Sequence, residues 1–165
     1  MRGTGDGSAR IFPVETPFQK LARREGGIPR DKAIAEANAK VEEMKPGFES
    51  WLGKELESLN GIIRKASTGE AGPDWPELAN DHCRQLRDVG ATMGFTLLTF
   101  IAGSLCEILD EVAAGAKFNM YSITCHVDSL YLARQDRYRN MRPDQVPELT
   151  SGLRRIADKI TSSPT

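Results

Sequence analysis

From Val89 to Cys106 the chain carries no charged residue, and this stretch limits the fold more than any other. Such a run has to be buried, in lipid or in a protein core. A membrane-spanning helix needs about 20 predominantly apolar residues, and Gly90-x-x-x-Gly94 has the spacing of a membrane-helix dimer motif. The composition of the run argues for the core. It contains Gly90, Gly94 and Gly103, with Thr92, Thr96, Thr99 and Ser104. Leu98, Ile101, Leu105, Leu109 and Val112 recur at helical spacing, and Asp110 and Glu111 enter the same helix. The stretch reads as the buried helix of a helical bundle, with no membrane insertion.

The rest of the chain has the same period. Residues 1–30 read as an extended arm broken by Gly3, Gly5, Gly7, Pro13, Pro17, Gly26, Gly27 and Pro29, with Ile11, Phe12, Val14 and Phe18 available to dock it. A helix opens near Asp31 as N-cap, with Ile34, Ala37, Val41 and Met44 as its stripe. Pro46-Gly47 should kink or interrupt it, after which Phe48, Trp51, Leu52, Leu56, Leu59 and Ile63 continue. Ser67 to Pro73 is a loop. Asp74 and Glu77 make a capping box for the next helix, whose stripe is Leu78 or Ala79, Cys83, Leu86, Val89 or Gly90, and Met93. The Gly90–Phe95 stretch turns the chain into the uncharged helix, which ends near Ala114-Gly115. A further helix runs from about Asn119 to Asn140 and stops at Pro143. Asp144 caps the last one, carrying Val146, Leu149, Leu153, Ile156 and Ile160. No alternating strand period and no repeat occurs. The expected fold is all-α: an antiparallel four-helix bundle over 31–161 with an additional N-terminal helix and arm, and a frayed tail at 162–165.

Charge and cysteine usage narrow the function. Lys+Arg is 22 and Asp+Glu is 23, a net charge of −1, which does not suit a dedicated nucleic-acid binder. The basic run Arg134, Arg137, Arg139, Arg142 therefore reads as a solvated face near a helix end. Cys83, Cys106 and Cys125 form no CxxC pair and are odd in number, so a reducing, cytoplasmic setting is expected, with the thiols in the core. His82-Cys83 and Cys125-His126 lack close ligand spacing for zinc, and no metal or other cofactor is expected. No GxSxG, GxxxxGK or paired-histidine motif occurs, so no enzyme active site is expected either.

One segment is more specific. Arg84-Gln85-Leu86-Arg87-Asp88-Val89-Gly90-Ala91-Thr92-Met93-Gly94-Phe95 resembles the signature of histidine-containing phosphotransfer (HPt) domains, in which HxLKG precedes a small-residue stretch and LG or FG. Leu86, Arg87, Gly90, Ala91, Thr92 and Gly94-Phe95 match. The flanks Phe48-Glu49-Ser50-Trp51-Leu52, Ser104-Leu105-Cys106 and His126-Val127-Asp128-Ser129-Leu130, with Leu149 to Leu153, resemble free-standing bacterial members. The resemblance spans about 11–160 and implies a four-helix bundle that docks on a response-regulator receiver domain or a histidine kinase.

Two positions depart from the family. The phosphoacceptor histidine falls on Arg84, and the glycine that admits a receiver falls on Asp88. A guanidinium stays protonated and has no lone pair to attack a phosphoaspartate. The resemblance thus implies a degenerate phosphotransfer protein, with Arg84, Gln85, Arg87, Asp88 and Ala91 as partner-binding residues. Asp88 is also placed to pair with Arg84 one turn away. The alternative acceptor is His82, or else His126; His82 lies about 200° around the helix from Arg84, sideways or inward. A homodimer through Gly90, Ala91 and Gly94 is a further expectation.

Overall fold

The computed structural model describes residues 26–161. Among the described residues the protein is all-α, as the periods require. The helices are α1 (Arg30–Thr68), α2 (Trp75–Met93), α3 (Thr96–Ala113), α4 (Met120–Arg134) and α5 (Pro147–Thr161), with a 3-10 turn at Pro143–Gln145. The N-terminal apolar residues Ile11, Phe12, Val14 and Phe18, and the tail 162–165, lie outside the described residues. No described helix is long and apolar enough to cross a membrane.

The uncharged stretch is explained by position: α3 packs against α2, α4 and α5. It buries Leu97, Leu98, Ile101, Ala102, Leu105, Ile108 and Leu109, all at 1% exposure or less. A charge at any of these seven positions would be desolvated, whereas Glu107 and Asp110 of the same helix are exposed. Phe48, Leu52, Leu56, Leu59 and Ile63 of α1 join the same core, as do Ala79, Cys83 and Leu86 of α2 and Ile123, Val127, Leu130 and Ala133 of α4.

Contacts between the helices run in opposite senses. Along α2 and α3, Gly90 faces Leu98 and Thr99, Cys83 reaches Ala102, and Asn80 reaches Asp110. Along α1 and α2, Phe48 meets Phe95 and Glu55 meets His82. Along α1 and α4, Leu56 accepts from Tyr131, and Gly53 lies under Arg134. Each rising number on one helix meets a falling number on the other, so all three pairs are antiparallel.

The α2–α3 turn follows from Gly94. Its φ of +80° is open to glycine at no cost. The Gly94 amide then donates to Ala91 O and the Phe95 amide to Gly90 O, at 3.3 and 2.9 Å. These two bonds are a Schellman closure of α2. Gly115, with φ +92°, ends α3 in the same way through Val112 O and Glu111 O.

Several expected boundaries move. Pro46-Gly47 does not interrupt α1, which runs through Pro46 as one helix. Contacts divide the chain into Met1–Lys40 and Val41–Thr165, and α1 crosses the division. In the first unit residues 30–40 are all exposed, so Ile34 and Ala37 are not a buried stripe. Charged residues Arg30, Asp31, Lys32, Glu36 and Lys40 keep that stretch solvated. Asp31 lies within the first turn of α1 and is not its cap.

Asp74 makes no side-chain cap bond, and α2 opens instead with Trp75-Pro76, proline being tolerated where an amide has no partner. Asn119 does cap α4, accepting from Tyr121 N at 2.9 Å. That helix stops at Arg134, not Asn140. Beyond it the chain turns so that Tyr138 and Met141 pack on the core and Arg139 pairs with Glu49 and Asp136. Asp144 sits in the 3-10 turn, paired with Arg142, and α5 begins at Pro147.

Candidate functional site

The exposed strip of α2 is set by its buried one. With Ala79, Cys83, Leu86 and Gly90 facing the core, Arg84, Asp88 and Ala91 fall on the outer face at i, i+4 and i+7, with Gln85 exposed beside them. Arg84 is mid-helix with half of its side chain in solvent. Its partner is on α3: Nη2 donates to Asp110 Oδ1 at 2.8 Å. Asn80 Nδ2 donates to the same oxygen. Asp88 does not pair with Arg84; it accepts from its sequence neighbour Arg87, Nε to Oδ1 at 2.8 Å. The long Arg84 side chain reaches across the α2–α3 seam, where a fixed carboxylate waits, while Arg87 lies closer to Asp88. Both guanidiniums are thus held by carboxylates, and the face presents two ion pairs rather than a bare basic spot.

His82 lies on the flank of α2 that faces α1. Its Nδ1 is 2.5 Å from Oε1 of Glu55, and 30% of its side chain is exposed. Glu55 itself is 9% exposed. His126 is fully buried on α4. Ser122 O can only accept, so His126 Nδ1 carries the proton and donates to it at 2.8 Å. Nε2 is then the acceptor for Ser104 Oγ at 3.0 Å. Burial lowers the His126 pKa below the usual imidazole value, and the hydrogen bond to Ser122 O opposes this only in part. The two His-Cys pairs do not converge, and among the described residues no group of three or more His, Cys, Asp or Glu is placed to hold a metal.

The basic run after α4 is engaged within the chain. Arg134 covers Gly53, Arg137 lies 5.4 Å over the Tyr138 ring, Arg139 pairs with Glu49 and Asp136, and Arg142 pairs with Asp144. A separate apolar groove of about 470 Å³ lies between Met44, Gly47, Phe48 and Trp51 of α1 and Val89 and Met93 of α2.

Sequence reasoning missed Asp110, Asn80 and Glu55 as partners. Glu55 left a signal: it is three residues after Leu52 and next to Leu56, at the edge of a buried stripe where a carboxylate needs a partner. No family model, curated protein or solved structure matches the chain. The phosphotransfer resemblance therefore rests on the residues quoted above.

Proposed function

We propose that the chain is an HPt-like docking module for a receiver domain or a histidine kinase, and that it carries no phosphate at the acceptor position. The observation that supports this reading is Arg84: exposed in the middle of α2, where the resemblance puts the acceptor, and held by Asp110. Arginine supplies donors to carboxylates and no nucleophile. An aspartate-rich receiver pocket would take Arg84 from Asp110, exchanging one carboxylate partner for another. Gln85, Arg87, Asp88 and Ala91 complete the contact.

The test is to mix the protein with radiolabelled, phosphorylated receiver domains. Binding without acid-labile label on the protein is expected, and Arg84→Glu should weaken binding at least about tenfold, or ~1.4 kcal/mol. Absence of binding to every receiver and kinase tried would sink the reading.

A second reading draws on the His82–Glu55 pair. A carboxylate on Nδ1 leaves Nε2 as the free nitrogen of a partly exposed imidazole. Label that appears on the protein and is lost in His82→Gln would establish that reading and refute the first.

A further inference from the structure

The densest chemistry that docking leaves unused is a pair of thiols. Cys83 of α2 and Cys106 of α3 meet where these antiparallel helices run close together. A Cβ on Gly90, two turns along α2 from Cys83, would come 2.8 Å from Leu98. The Cys83 thiol donates to Ala102 O at 3.1 Å. Ala102 lies one helical turn before Cys106, so the Cys83 sulfur rests against the turn that carries the second thiol. The two thiols therefore lie on facing turns of α2 and α3.

Their surroundings divide the roles. Cys83 has no exposure, while Cys106 retains 3%. Interaction with the Cys106 thiol, then burial, pushes the Cys83 thiol well above its usual range. Cys106 is lowered, first by its interaction with the Cys83 thiol, with Arg87 and Arg84 assisting against burial and Asp110. The more acidic thiol is thus the one nearer the arginines, whose positive charge favours a thiolate.

We propose that Cys83 and Cys106 form a redox-active dithiol, which a hydroperoxide converts into a disulfide joining α2 to α3 beside Arg84 and Arg87. The Cys106 thiolate attacks the peroxide oxygen. The O–O bond breaks, Cys106 becomes a sulfenic acid, and the leaving alkoxide or hydroxide takes up a proton. The Cys83 sulfur then displaces hydroxide from the sulfenic acid; its thiol proton leaves with the hydroxide as water. Overall, two thiols and one hydroperoxide give a disulfide, one alcohol (or water, from hydrogen peroxide) and one water. The bond ties the middle of α2 to α3, so neither helix can shift along the other. This inference does not depend on what docks there.

The full chain is exposed to hydrogen peroxide under native conditions, unreacted thiols are alkylated in denaturant, and tryptic peptides are weighed. The cysteines separate into peptides 66–84, 88–117 and 118–134. Loss of alkylation at two of the three cysteines is expected, with 66–84 joined to 88–117 and released by dithiothreitol. The link should persist in Cys125→Ser and vanish in Cys106→Ser, while Cys83→Ser should leave a dimedone-reactive sulfenic acid on Cys106. The proposal is overturned if Cys83 and Cys106 both stay alkylatable, if Cys125 is the main partner of either, or if the link forms only after the circular dichroism of the fold is lost.

Discussion

The buried imidazole of His126 makes the stability of this protein depend on pH in one direction. In the unfolded chain it titrates near the usual value of about 6.5. In the folded protein burial holds its pKa lower. Between those two values the unfolded state binds more protons, so stability falls as pH falls below about 6.5 and stops falling at the folded pKa. If the folded ring stays neutral throughout, lowering the pH from 7.5 to 5.5 removes at most about 1.4 kcal/mol through this residue. Urea denaturation of wild type and His126→Gln at both pH values isolates the effect. Every other titrating group is common to wild type and variant, so it cancels in their comparison. The variant should be the less stable at pH 7.5, because Ser104 and Ser122 O lose their partner. Its disadvantage should shrink at pH 5.5, by no more than about 1.4 kcal/mol, since glutamine does not titrate. Parallel stability–pH curves would refute the reasoning. Should the variant not fold, the His126 ring signal in NMR is the check: in the folded protein it should titrate at a lower pH than an ordinary imidazole.

Three further outcomes test the fold. Leu105→Ala removes a fully buried side chain from α3 and should cost about 2–5 kcal/mol in urea denaturation. Gly94→Ala places a Cβ on a residue at φ +80° and should cost about 1–2 kcal/mol, read in the same way, although the space around it is open. Pro46→Ala restores an amide inside an exposed stretch of α1 and should stabilise that helix by about 1–3 kcal/mol, seen as a higher Tm.

The helical class was legible because apolar residues repeat at one period from Phe48 to Ile160, and because Gly94, Gly115 and Asn119 mark helix ends through local geometry alone. Pro46 does not end α1, because a single missing amide bond did not break the helix. The end of α4 was misjudged because Tyr138, Met141 and Arg139 find their partners in other elements, which no local pattern encodes.

The candidate face divides in the same way. That Arg84, Asp88 and Ala91 share an exposed strip, with His82 off it, follows from the 3.6-residue repeat and the positions of Cys83, Leu86 and Gly90. Sequence by itself therefore determined the helical class, the buried stripes from Phe48 onward and the side of α2 that meets solvent. Which carboxylate holds Arg84, which residue faces His82, and that Cys83 meets Cys106 were decided only when α1 and α3 came to lie against α2. Those pairings join residues 26, 27 and 23 positions apart, and a helix period carries information over a few turns at most.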